Sequence, residues 1–133
     1  MRFIFILAAF FCCTSVIAQE GQNVHPVGDS TYVKVEKMAV FPGGEQAMYD
    51  FLRNNIKYPY KARKKNITGK VYVNFTIDKN GDIQKVFVLK GIGHGCDEEA
   101  VRVIQAMPRW IPAEMKGQPV AVSNNMPINF SLR

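Results

Sequence analysis

Cysteine is scarce in this 133-residue chain: Cys12 and Cys13 sit together in an apolar start, and only Cys96 lies further on. Intrachain disulfides are thereby excluded for the body of the chain even in an oxidising compartment, so its stability has to come from packing. Histidine is limited to His25 and His94, and tryptophan to Trp110. So few imidazoles and thiols leave little from which to build a nucleophilic or zinc site. Acidic residues are outnumbered, 11 against 17 lysines and arginines, for a formal charge of +6. There is no internal repeat. The one long apolar run, residues 3–18, contains Thr14 and Ser15 and falls short of the roughly 20 apolar residues that a spanning helix needs.

That run has another reading. Met1-Arg2 supplies a charged start, residues 3–13 an apolar core, and Ala18 a small residue just before the polar Gln19-Glu20. This is the pattern of a secretory signal peptide, so the expectation is removal of residues 1–18, with periplasmic export and an uncleaved inner-membrane anchor as the alternative. Cys12 and Cys13 suggest a lipoprotein, but the bulky Phe10-Phe11 ahead of Cys12 makes lipidation the lesser reading. A chain starting at Gln19 keeps 115 residues and a charge of +5, enough for one small domain. An exported protein meets no nucleic acid, so Lys57, Lys61, Arg63, Lys64, Lys65 and Lys70 read as a solvated rim or as contacts to an anionic cell-wall or partner surface.

Residues 19–34 mix glycine, asparagine, histidine and proline without period and read as a flexible leader, with Val33, Val35 and Met38 able to add a short strand. The domain proper spans residues 35–133. Phe41-Pro42-Gly43-Gly44 breaks the chain, and Ala47, Met48, Phe51 and Leu52 then fall at helical spacing until Tyr58-Pro59 ends the helix. Val71, Val73, Phe75 and Ile77 alternate with Lys70, Tyr72, Asn74 and Thr76, a strand with one apolar face. A turn through Asp78-Lys79-Asn80-Gly81-Asp82, with positive φ expected at Asn80 and Gly81, leads to a return strand over residues 83–89. Asp97, Glu98 and Glu99 open a second helix whose apolar stripe is Ala100, Val101, Ile104 and Met107, stopped by Pro108. Residues 120–132 alternate again, and Pro127, lacking a backbone donor, places that strand at a sheet edge or a bulge. The fold class expected is α+β, with two helices on one face of a small three-stranded antiparallel sheet.

Chemistry is hard to find. His94 and Cys96 stand two apart with no orienting group beside them, and with Asp97 they lack the paired spacing of a structural zinc site. Asp78, Asn80 and Asp82 imitate the start of a calcium loop without its later glycine and glutamate, so a turn explains them. Trp110 reads as a core anchor, and Tyr58 and Tyr60 as packing against the sheet. No enzyme, cofactor or metal is expected.

Phe41 to Gly44, Tyr58-Pro59, Gly69-Lys70-Val71, Glu99-Ala100, Met107-Pro108-Arg109-Trp110, Gly117 to Val120, and Pro127 with Phe130 and Leu132 follow one another in an order that resembles the TonB C-terminal domain. That family grips outer-membrane transporters in Gram-negative bacteria. Its energy transducers carry a membrane helix and a long proline-rich spacer, which residues 1–34 do not match. Gly95-Cys96 also replaces the proline and leucine common before the aspartate. The resemblance therefore implies a freestanding periplasmic binding module that takes an extended segment of an outer-membrane receptor, or of another envelope protein, as an added strand. The segment would meet the final strand near Ser123, Asn124, Asn125, Asn129 and Ser131, and the same edge would admit a second copy of the chain. Two other expectations remain open at this point: a short membrane-anchored energy transducer, and a cell-wall-associated domain contacting anionic polymer through Lys61, Arg63, Lys64 and Lys65.

Overall fold

The computed structural model describes residues 24–27 and 31–132; the expected signal peptide lies outside them. In chain order these residues form strands β1 (Val24–Val27) and β2 (Thr31–Lys34), helices α1 (Gly44–Asn55) and α2 (Tyr60–Lys64), strands β3 (Gly69–Ile77) and β4 (Ile83–Lys90), helix α3 (Cys96–Gln105), the short strands β5 (Ala113–Met115) and β6 (Gln118–Val120), and β7 (Val122–Phe130). The main sheet has the order β4-β3-β7, antiparallel throughout. β3 is central because alternation gives it an unbroken apolar face: Val71, Val73, Phe75 and Ile77 are fully buried. Val122, Met126, Ile128 and Phe130 extend that face across β7. Burying one such large apolar side chain contributes about 1.5–3 kcal/mol, so this layer supplies much of the stability that no disulfide can.

α3 packs over β3 and β4. Its inward residues are Ala100, Val103 and Ile104, all fully buried, whereas Val101, expected in the stripe, is only half-buried. The start of α1 explains the double glycine. Gly43 adopts φ 87° at the helix cap, and a Cβ there would stand 2.8 Å from that of Ala47. Only glycine takes that backbone region without strain. Phe41 can then fold inward, edge-on to Trp110 at 5.6 Å, and Trp110 meets Phe75 at 5.8 Å. Trp110 is thus the core anchor that its sequence context suggested.

Four features differ from expectation. α2 is an extra helix of five residues, and it leaves Tyr60 76% exposed rather than packed on the sheet. Tyr58 does pack, edge-on to Phe130 at 5.7 Å, with its hydroxyl donating to the Ile67 carbonyl. The β5–β6 hairpin turns at Lys116 and Gly117, both at positive φ, so the closing alternation is split and the last strand begins at Val122. In the 78–82 turn only Gly81 has positive φ; Asn80 does not. Finally, β1 and β2 pair as a hairpin within the expected leader, and β1 runs near β7 without joining its sheet.

Candidate functional site

β7 borders the sheet, and its pairing with β3 runs without a shift from Gly69↔Phe130 to Ile77↔Val122. In an antiparallel ladder the residues of one strand alternate between turning both backbone groups toward the neighbour and turning both away. Pro127 has no N–H to give, so an unbroken ladder puts it in the phase facing away from β3. Ser123, Asn125 and Asn129 share that phase by the two-residue period. Their amides and carbonyls line the edge of β7 that has no strand partner in the sheet, near which β1 runs, and Pro127 leaves one gap in its row of donors.

The side chains follow the same alternation. Asn125 and Asn129 are exposed on the face away from the helices. There the Asn74 amide donates to Ser123 Oγ at 2.8 Å and to Asn125 Oδ1 at 2.6 Å, fixing the outer face across β3 and β7. Asn124 points to the opposite face, on the helix side next to Met126, so its side chain does not share the outer face with those of Ser123 and Asn125. Ser131 lies just past the strand.

On the helix side the open edge borders a series of hollows. One is walled by Phe41, Met48 and Trp110 beside Asn124 and Met126. A second lies between Tyr49, Leu52 and Ile56 on one side and Ile128 on the other. A third holds Arg53, Arg63 and Asn66 beside Ser131. Arg53 and Tyr49 were not singled out in the sequence, and Met48 was read only as part of the apolar stripe of α1; the margins of that stripe were the only available signal. Trp110 Nε1 is buried with no hydrogen-bond partner.

Lys61, Arg63 and Lys64 are exposed on α2, and Lys65 follows at its end. Arg63 sits over the Tyr58 ring at 5.9 Å. Burial pushes the Tyr58 phenol up, so it remains protonated beside that guanidinium at neutral pH.

The remaining candidates are structural. Cys96 is fully buried while His94 is exposed at φ 57°, so they form no dyad. Burial, then the charges of Asp97 and Glu98, push the Cys96 thiol up and hold it in its unreactive form. Asp97 accepts the Ile92 and Gly93 N–H groups at 2.9 and 3.2 Å, clasping the loop before α3. Burial pushes the Asp78 carboxyl up, but the N–H groups of Asp82 and Asn80 more than offset it and leave the group below its usual range, as befits a turn residue. Among the described residues no cluster of histidine, cysteine, aspartate and glutamate could hold a metal ion, and no helix is long and apolar enough to cross a membrane.

The model of the Gram-negative bacterial TonB protein C-terminal family matches residues 54–132, more than half of the chain. The solution structure of the Helicobacter pylori TonB C-terminal domain is similar at 22% identity and a TM-score of 0.50, over 66% of this chain and 79% of that one. A shorter form of that domain matches at 23% identity and a TM-score of 0.49, over 66% and 95%. At such identity the structural likeness bears on the fold alone. No curated protein matches the chain. The α+β fold and the family model agree, and the chain belongs to the TonB C-terminal family of non-enzymatic protein-interaction domains.

Proposed function

We propose that this protein is exported to the periplasm and receives an extended segment of an outer-membrane receptor, or of another envelope partner, as a further strand on β7. The family places it in TonB-like envelope transport; the strand-addition mode is our reading. It is carried by one observation, the regular open edge whose phase Pro127 fixes. Backbone groups of Ser123, Asn125 and Asn129 would supply affinity, and pockets on the helix side would select side chains.

Peptides scanned from the periplasm-facing ends of outer-membrane transporters provide the probe. On binding, the Ser123, Asn125 and Asn129 amides should shift in nitrogen–proton spectra and exchange with solvent more slowly. Changes confined to Lys61, Arg63, Lys64 and Lys65, abolished by salt, would replace this reading with anionic-polymer binding. Self-association through the same edge would appear as a concentration-dependent change at the three amides without peptide. Amino-terminal sequencing of the native protein should begin at Gln19; full-length chain in the membrane fraction would favour the anchored transducer.

A further inference from the structure

The face of the main sheet turned away from the helices has an apolar centre. Tyr72 points outward from β3, with Pro127 opposite it on β7 and Lys90 opposite it on β4. On β4, Phe87 lies opposite Asn74 and Leu89 follows two residues later, both half exposed. None of these residues lines the hollows beside β7, so this is a separate surface on the other side of the sheet.

Its charge has one sign. β3, β4 and β7 contain Lys70, Lys85 and Lys90 and no aspartate or glutamate. Lys70 shares the outward phase of Tyr72, Lys90 lies beside Tyr72, and Lys85 stands at the bulge two residues before Phe87. Among the described residues none of these lysines is in an ion pair. The carboxylates of the β3–β4 turn are engaged elsewhere: Asp78 accepts the N–H groups of Asn80 and Asp82, and Asp82 pairs with Arg109. A second copy stacked on this face would therefore set lysines against lysines. Apolar and aromatic side chains flanked by cations instead complement a surface that is anionic outside and apolar beneath, the profile of a bilayer with phosphate headgroups. Lysine stems lie along apolar surface while their ammonium groups reach the phosphates, and an amphipathic tyrosine ring suits the boundary between the two.

We propose that this outer face docks the domain on an anionic phospholipid surface, with Tyr72, Phe87 and Leu89 entering the headgroup boundary and Lys70, Lys85 and Lys90 meeting lipid phosphates. The docking is independent of strand addition. The edges of a sheet lie in its own plane, so a sheet laid on a membrane by its face keeps β7 accessible from the side.

Nanodiscs of mixed phosphatidylglycerol and phosphatidylcholine with nitroxide-labelled headgroups test this on the natively processed chain. Nitrogen–proton spectra should broaden at Tyr72, Phe87, Leu89 and Lys90 and stay sharp along α1 and α2. Co-sedimentation with vesicles of the same lipids should fall about fivefold for each of Lys70→Gln and Lys90→Gln, the effect of one cation near an anionic membrane. The Phe87→Thr, Leu89→Thr double variant keeps residues suited to a strand, and circular dichroism would verify its fold. It should bind about tenfold more weakly, from the apolar burial it lacks. High salt should erase the lysine effect and leave the Phe87–Leu89 effect in place. Broadening centred on Lys61, Lys64 and Lys65, with the double threonine variant binding as the parent does, would mean that net positive charge alone attracts the protein, and overturns the docking face. Failure to bind the anionic vesicles overturns it outright.

Discussion

The two edges of the main sheet are built on opposite plans. β4 is irregular: its register with β3 slips between Tyr72 and Val73 and again between Asn74 and Thr76, and Lys85 sits at φ 51°. A bulge with an outward lysine is a recognised way to keep a strand edge from pairing with another chain. The slip also reverses the alternation, so Phe87 and Leu89 face outward at 51% and 53% exposure while Val86 and Val88 turn in. β7, in contrast, keeps its ladder intact over its full length and stands next to a groove. One edge is spoiled for pairing and the other is left regular. This asymmetry supports the proposal of a partner strand at β7 rather than at β4.

The strongest way to break the comparison is to exchange the two backbone phases of β7. Ile128 faces β3, whereas Asn129 faces the open edge. Ile128→Pro removes a ladder donor and a buried side chain, and should cost roughly 3 kcal/mol or more, enough to lose cooperative unfolding in a small domain. Asn129→Pro should leave the denaturation midpoint within about 1 kcal/mol of the parent and still weaken peptide binding, with a smaller loss for Asn129→Ala. Equal destabilisation by both prolines in urea titrations would mean that the phase assignment, and with it the donor row, is wrong.

The β4 side can be probed at Lys85. A β-branched residue does not take the left-handed region, where the penalty is about 1–2 kcal/mol, so Lys85→Val should destabilise by about that much and Lys85→Gly should not. If Lys85→Val is instead neutral and promotes dimers by light scattering, the bulge is an easily removed guard rather than a fixed part of the fold. Cys96→Ser acts beneath the same half of the sheet. It should cost at most ~1 to 2 kcal/mol, the effect of a hydroxyl in a fully buried site, and leave peptide affinity at β7 unchanged. Loss of binding without loss of folding would revive a chemical role for the thiol.

How much of this was legible beforehand depends on whether the signal is local. Alternation through Val71, Val73, Phe75 and Ile77 was sufficient to define that strand, and Pro127 pointed to an edge or a bulge, of which the structure shows the edge. α2 was missed because five residues are too few to show a helical period, and a tyrosine as exposed as Tyr60 mimics a buried one in sequence. The β5–β6 hairpin was missed because Lys116, at φ 51°, is not a residue type that announces a turn. Asn124 was grouped with its neighbours by composition, although a strand sends adjacent side chains to opposite faces. The groove had no local signature. It arises from how α1 lies against β7, a tertiary relation that brings Arg53 and Arg63 to Ser131 from separate helices.

The smallest effect concerns what holds α1 in that position. Glu99 accepts the Lys57 N–H at 2.7 Å just beyond the end of α1 and pairs with Arg102 at 2.6 Å, while Arg102 also donates to the Asn55 carbonyl. The Arg102 hydrogen bonds, helped by the Lys57 N–H, hold the Glu99 carboxyl below its ordinary value of 4.5 despite partial burial. A depressed carboxylate stabilises the fold above its unfolded value and loses that contribution as the pH falls through the folded one. Glu99→Gln should therefore lower the urea midpoint at pH 7, by an amount equivalent to about 1 kcal/mol or less because Arg102 is half exposed, and the gap to the parent should narrow as the pH drops below about 4.5. Because the link joins α3 to the end of α1, its loss should loosen the wall of the groove that carries Arg53 and leave the β4 edge untouched. In hydrogen exchange the variant should thus show faster exchange at the end of α1 and no change along β4. Faster exchange spread evenly over both edges would mean that Glu99 supports the domain as a whole, and that the two sides of the sheet are not independent.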